Sequence, residues 1–129
     1  MMPLKQPRRY LKLQTSTTGA PFSDAVQVDK TLYIAGQIGL DPRTGEIPPD
    51  IRKEIGFLFD RIENILREAK MSLVNIVLLQ VSCSDGALYE VFNKAYSQRF
   101  DSEYPARSFI VAGGLVKNAR FHASAIAVE

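Results

Sequence analysis

Two side chains stand out for their chemistry because each is the single one of its type: His122 and Cys83. A reactive thiolate needs a cationic and partly exposed setting. Cys83 instead ends the apolar run IVLLQVSC, which predicts a buried core thiol. A neutral imidazole can take a proton from water near neutral pH, so His122 is either a general base or a histidine that serves packing or a hydrogen bond.

The positions of the glycines and carboxylates argue against two further kinds of site, a phosphate site and a metal site. Gly113 and Gly114 lie outside any GxGxxG or P-loop pattern, which favours a turn or a packing point over a phosphate site. Gly36 and Gln37 follow the apolar run LYIA, where a glycine permits either a bulge in a sheet or the close approach of a ligand. The carboxylates are not clustered, so we expect no metal site.

Two amphipathic helices are predicted from the spacing of apolar residues. The first helix begins after Asp50, a typical N-cap residue, and the second follows Ser84 or Asp85. The inward residues of the first helix are Ile51, Ile55, Leu58, Phe59, Ile62, Ile65, Leu66 and Ala69. Those of the second helix are Leu88, Val91, Phe92, Ala95, Tyr96 and Phe100.

Six strands complete the predicted order β, β, β, α, β, α, β, β. They are YLKLQ, AVQV, TLYIAGQI, IVLLQVSC, ARSFIVAG and ARFHASAIAV, with Asp29 and Lys30 as a hairpin turn between the second and third. Neighbouring residues of a strand point to opposite faces. The last strand therefore directs Arg120, His122, Ser124 and Ile126 to one face and Phe121, Ala123 and Ala125 to the other.

Self-association is predicted from the coverage of this sheet. Two helices can cover one face of about six strands, yet TLYIAGQI and IVLLQV are too apolar to leave their other face in water. Another copy of the chain would supply the cover, although the patterning leaves the number of copies open.

Composition predicts one ordinary globular domain, because 46% of the 129 residues are apolar and 23% are charged. We expect residues 1–14 to form a basic arm with an edge strand and residues 15–129 to form the domain. The net charge of +2 comes from that arm, and the body lacks the basic stripe of a nucleic-acid binder. With no long apolar stretch and no signal-peptide pattern, we expect a cytoplasmic protein without a membrane partner.

The order of elements, together with GAPFSDAVQV, LYIAGQIGLDPRTGE and PARSFIVAGGL, resembles the RidA/YjgF family, also known as the L-PSP endoribonuclease family. The resemblance covers residues 18–128. It implies a chorismate-mutase-like α+β fold, in which a six-stranded mixed sheet carries two helices on one face. It also implies a homotrimer whose sheets form a central barrel, with three ligand clefts between neighbouring subunits.

The resemblance further implies an activity and a site. Active members hydrolyse reactive 2-enamine and 2-imine carboxylates to keto acids and ammonia, without a cofactor. In that scheme Arg107 of the PARS motif binds the substrate carboxylate, and its planar, permanently charged guanidinium suits two oxygens at once. Main-chain atoms around Gly36, Gln37, Ser108 and Phe109 complete the cleft, and the Phe109 ring adds an apolar wall.

Three positions depart from the pattern of active members. Phe22 replaces a tyrosine and keeps an aromatic wall without the hydroxyl, and Ala35 replaces a serine. His122 stands fifteen residues after Arg107, where the family glutamate is thought to position the attacking water. We expect Phe22 and Ala35 to line the substrate cleft and His122 to be the candidate base.

Three functions therefore compete. The first is hydrolytic deamination of small 2-imino carboxylates in clefts between subunits. The second is a trimer that binds small carboxylates without efficient turnover, since loss of a general base costs roughly 10² to 10⁴ in rate. The third is an L-PSP-type endoribonuclease, which is disfavoured because a metal-free ribonuclease needs both a base and an acid, and this chain has one histidine. RNA is thus not an expected partner.

Overall fold

The computed structural model describes residues 6–13 and 19–129, which form a six-stranded sheet with two α-helices. The strands are β1 (Arg8–Leu11), β2 (Ala25–Val28), β3 (Thr31–Ile38), β4 (Ile76–Cys83), β5 (Ala106–Val111) and β6 (Phe121–Val128). Their order across the sheet is β1-β2-β3-β6-β4-β5. Only β4 and β5 run parallel within this sheet, so it is mixed, as predicted.

The two helices are α1 (Ile51–Glu68) and α2 (Tyr89–Arg99). The Asp50 carboxylate caps α1 by accepting from the Arg52 amide at 2.8 Å, which confirms the predicted start. Of the two caps predicted for the second helix, Asp85 is the one used: it caps a short 3₁₀ turn, Gly86–Leu88, that leads into α2. Within the described residues no helix is long and apolar enough to cross a membrane.

The core lies between these helices and one face of the sheet. The predicted apolar stripe of α1 is buried there apart from the half-buried Ile51. Phe92 of α2 packs on Phe121 of β6, with ring centroids 5.1 Å apart. The β6 alanines that share the inward face with Phe121 are buried too, and Cys83 is fully buried, as predicted. Both helices therefore cover the same face of the sheet.

The first strand lies nearer the N-terminus than predicted. It spans Arg8–Leu11 rather than the run YLKLQ, whose last residue lies outside the described residues. The pairing with β2 sets this boundary, because Leu11 stands opposite Ala25 and its carbonyl accepts from the Asp24 amide where β2 begins. Arg9 accordingly lies in a strand, and its guanidinium donates to the Glu68 carbonyl at the end of α1.

The last two strands are shorter than predicted. β5 ends at Val111 and β6 begins at Phe121, so Ala112 and the residues just before Phe121 lie outside the ladder. Arg120 consequently departs from the predicted alternation. Its side chain pairs with Glu54 of α1 instead of joining the stripe of His122 on the other face.

No element of the described chain packs on the face of the sheet opposite the helices. It carries Tyr33 of β3 at 49% exposure and Ile110 of β5 at 59%, with the half-buried Ile126 of β6 between them. Exposed apolar side chains gathered on one sheet face are typical of an interaction surface. We call this surface the open face.

Candidate active site

Arg107 lies on the edge strand β5 and faces the helices. It stands opposite the buried Leu79 of β4, so its side chain belongs to the inward face of the sheet. The guanidinium carbon lies 4.8 Å from the ring centroid of Tyr96 and 5.2 Å from that of Phe109. The rings of Tyr89 and Phe92 lie within 6 Å as well. Aromatic faces on several sides therefore hold the cation in place.

No carboxylate neutralises this cation in the part of the chain that the structure describes. The ion pairs there join other arginines to acids, and none of them includes Arg107. An arginine with a full positive charge and ordered by aromatic rings is well suited to bind an anion, because its N–H donors are not already used by an acid.

A cavity of about 300 Å³ opens beside Arg107. It is lined by Asn93, Tyr96, Ser97, Tyr104, Pro105 and Arg107. Two buried polar atoms in its wall have no hydrogen-bond partner, the side-chain oxygen of Asn93 and the hydroxyl of Tyr96. Buried polar atoms are nearly always bonded, so these two are unsatisfied groups of the residues beside the cavity. Burial raises the pKa of the Tyr96 phenol, which keeps the hydroxyl protonated as a donor.

The helical spacing of the sequence predicts Tyr96 as an inward core residue, which its 6% exposure confirms, but does not indicate that Tyr96 and Asn93 line a cavity. Asn93 precedes Tyr96 by three positions on α2, so both lie on one side of the helix. An asparagine one turn before an inward tyrosine, close to a strand that carries an arginine, is the signal that could have indicated them.

His122 belongs to a second cluster, on the open face. It stands opposite Ile38 of β3, next to a bulge where β3 has one more residue than β6. Gly36 lies in this bulge directly against the imidazole: a Cβ added to Gly36 would stand 2.0 Å from His122 Nε2. The absence of a side chain at Gly36 thus creates the space that the imidazole fills.

Other predicted residues surround the bulge. The Ala35 amide donates to the Asp24 carbonyl at 2.9 Å, which brings the start of β2, and with it the segment that contains Phe22, to the bulge. Phe22 is 53% exposed, and the Lys12 ammonium lies 4.7 Å from its ring centroid. The side chain of Gln37 points to the helices, so the main-chain atoms of this residue are the part that stays predicted for the cleft.

The side chain of Gln37 is 3% exposed and holds the bulge from the inward face. Its carbonyl oxygen accepts from Arg61 Nε at 3.1 Å, and its amide donates to the Ala35 carbonyl at 3.0 Å. These bonds satisfy both polar groups of the side chain. Gln37 therefore shapes the backbone near His122, and its side chain does not lie on the face that carries the imidazole.

A single chain does not bring Arg107 and His122 together. Arg107 faces the helices, whereas His122 lies on the open face. Ser108 is exposed on the open side of β5, and Phe109 shares the inward side with Arg107. In the described residues no group of three or more His, Cys, Asp or Glu side chains is arranged to hold a metal ion.

These features define a class of protein: a small α+β protein in which two helices cover one face of a mixed sheet and an arginine cavity opens at the edge strand. The family model described as Endoribonuclease L-PSP matches residues 13–129. The chain belongs to this family, which is also called RidA/YjgF.

Relatives with curated names and solved structures are similar over most of their length. A RutC family protein of Leuconostoc mesenteroides is 39% identical over 92% of this chain and 98% of its own. The 2-iminobutanoate/2-iminopropanoate deaminase of Bos taurus is 36% identical over 84% of this chain and 80% of its own length. The crystal structure of RidA from an Antarctic Psychrobacter has a TM-score of 0.87 at 28% identity, covering 94% of this chain and all of that one. The crystal structure of E. coli TdcF with bound serine has a TM-score of 0.85 at 28% identity, and the match covers 94% of this chain and 99% of TdcF.

Replacing Gly36 with alanine tests the contact with the imidazole. The added methyl group has no room beside His122, so we expect the ring to rotate and the NMR signals of the chain's single histidine to shift. The free energy of unfolding should change by less than about 1 kcal/mol, since alanine is favoured over glycine in a strand. Gly113→Ala, at a position with open space, is the control. Identical histidine spectra in Gly36→Ala and wild type would contradict the contact.

Proposed function

We propose that this chain hydrolyses 2-imino and 2-enamino carboxylates to 2-keto acids and ammonia, as the names of its relatives indicate for those proteins. The observation that carries the proposal is the Arg107 guanidinium, which aromatic rings order beside a cavity of about 300 Å³ and which has no described acid as a partner. A small carboxylate fits this cavity in size and charge. The reaction needs no cofactor, because water is the only second reactant.

Arg107 would bind and orient the substrate carboxylate with two N–H donors. Tyr96 and Asn93 line the same wall, and their buried hydroxyl and carbonyl oxygen, which have no partner, would donate and accept further hydrogen bonds once the side chains turn toward the substrate. Tyr104 and Phe109 would contact the apolar part of the substrate. This arrangement holds the imine carbon in a fixed position, which lowers the entropy cost of attack by water.

The chemistry has two steps. Water adds to the carbon of the protonated imine while the His122 imidazole takes one of the water protons, which gives a neutral carbinolamine. The imidazolium then donates that proton to the amino nitrogen, the C–N bond breaks and ammonia leaves, while the hydroxyl group gives its proton to the imidazole as the carbonyl forms; ammonia carries this proton away as ammonium. Neutral His122 can perform the first step, whereas protonated His122 cannot and would also repel the positive Arg107 and a protonated imine.

Arg107 and His122 lie on opposite faces of one sheet, so a common cleft needs His122 of one subunit and Arg107 of a neighbour. The exposed apolar side chains of the open face support an assembly of copies of this chain, and a homotrimer with its sheets in a central barrel would cover them. The segments at Phe22, Ala35 and Gly36 would then line the cleft with His122, while Ser108 and Phe109 would contribute main-chain atoms. The assembly would act in the cytoplasm.

A trimer that binds small carboxylates without efficient turnover is the second candidate. The observation that favours it is the imidazole at position 122, where active members of the family carry a carboxylate. Phe22 and Ala35, which are predicted to line the cleft, also lack hydroxyl groups that could hold water. Both candidates share the cavity at Arg107 and differ in whether water is activated.

Arg107→Ala should reduce kcat/KM for 2-iminopropanoate by roughly a hundredfold, about 3 kcal/mol, because the carboxylate loses its charged partner. The imine is generated in the cuvette by an amino-acid oxidase, and its decay is followed. The control is Arg67→Ala, which removes an exposed arginine that donates to Asn64. Equal decay with Arg107→Ala and Arg67→Ala would exclude Arg107 as the carboxylate site.

Removal of the imidazole tests His122. His122→Ala should lower kcat at pH 8 by about 10² or more, the usual contribution of a general base. Wild-type protein that binds 2-iminopropanoate analogues such as pyruvate but does not accelerate imine decay at any pH would support the binding trimer instead.

Ile126→Asp should break the assembly, because it places a charge in the middle of the apolar open face. Sedimentation velocity should show three chains for the wild type and one for the variant. Val74→Asp is the control, since Val74 is 87% exposed and lies outside the sheet. A wild-type chain that sediments as a stable monomer would rule out the shared cleft.

A further inference from the structure

Glu54 is a fully buried carboxylate at the point where α1, β3 and β6 meet. Its two oxygens accept hydrogen bonds from the Arg120 side chain, from the Arg120 amide at 2.8 Å and from the Phe121 amide at 3.2 Å. The carboxylate thus binds the backbone of β6 at its first residue. Removal of a buried charge from water is costly, so its retention here needs these partners.

Arg120 extends the same connection to the loop before α1. Its guanidinium donates to the carbonyls of Pro48 at 2.7 Å and Pro49 at 3.1 Å, in addition to Glu54. The planar fork of arginine, which lysine lacks, is what reaches several acceptors at once. One side chain therefore connects the loop before α1, the first turn of α1 and the start of β6.

The end of β3 is fixed against the same residue. A Cβ on Gly39 would stand 2.0 Å from the Glu54 carbonyl oxygen, so the backbone after β3 packs directly on α1. Ile38, the last residue of β3, stands opposite His122. Gly36 accordingly lies against the ring of His122, and the end of β3 lies beside its backbone. Glu54 bonds the backbone one residue before it.

We propose that Glu54 and Arg120 are positioning residues for His122: they fix the start of β6 and hence the place of the imidazole over the bulge. This inference rests on the proposed role of His122 as the base. A general base must stay within a few tenths of an ångström of its productive position, and a displacement of about 1 Å can reduce the rate roughly a hundredfold. Neither residue touches the substrate, so binding at Arg107 is unaffected.

Arg120→Met removes the cation and the fork but keeps most of the apolar stem. We expect kcat for imine hydrolysis to fall by about tenfold or more while KM stays within about twofold, the pattern of lost transition-state alignment. The imidazole signals of the single histidine should shift or broaden in a protein without a histidine tag. Arg120→Lys, which can still pair with Glu54, should recover much of kcat and of the wild-type spectrum.

Arg99→Met is a matched control. Arg99 also pairs with an acid of α1, Glu63, at 2.8 Å, and its side-chain exposure of 30% matches the 29% of Arg120. The ion pairs of Arg99 do not involve any residue of β6. Its loss should therefore leave kcat and the histidine signals unchanged even if stability falls.

The two readouts separate this inference from the proposed function. Wild-type protein without imine hydrolysis would end the proposed function, and the histidine spectrum, which needs no substrate, would still decide whether Arg120 places the ring. A folded Arg120→Met protein with wild-type histidine signals would overturn the inference. If Arg120→Met does not fold, Glu54→Gln, which keeps the shape and loses the charge, takes its place: shifted histidine signals support the inference, and wild-type signals overturn it.

Discussion

The burial of one side of β6 beneath the helices is the contact on which the site depends. Phe121, Ala123 and Ala127 have no exposed surface, and the small alanines allow the helical layer to lie close to the sheet. Because a strand alternates strictly, this burial directs His122 to the other face. A shift of one residue in the register of β6 would place the imidazole in the core and methyl groups on the open face.

The parts of the fold that follow from local spacing could be predicted from the sequence. The helices and the inward alanines of β6 were confirmed because they depend on a period of about 3.6 or of two residues, and the Asp50 cap because aspartate is a typical N-cap residue. The mixed sheet, which the family resemblance implied, is confirmed as well. The prediction for β1 was wrong by two residues at its start and by three at its end, since the strand is set by pairing with β2. Glu54 was missed for the same reason: helix periodicity shows that a position is inward but does not show which distant amide a carboxylate will meet.

The sequence and the family resemblance named residues for the candidate site but did not give their arrangement. The sequence indicated Arg107, Gly36 and His122 one by one, while the structure shows two clusters on opposite faces of one sheet. The orientation of Gln37 toward the helices depends on its bond with Arg61, a contact between elements 24 positions apart. The orphaned polar atoms of Asn93 and Tyr96 likewise emerge only when α2 and β5 are packed together.

The aromatic surroundings of Arg107 have a consequence for how the cavity attracts anions. Rings attract a cation through their quadrupoles but carry no net charge, so they order the guanidinium without cancelling its field. None of the described ion pairs includes Arg107, so an arriving anion displaces no resident acid. The same property makes the cavity unselective at long range. Chloride, phosphate or acetate from a buffer would be drawn to it, and discrimination among anions must come from the shape of the walls.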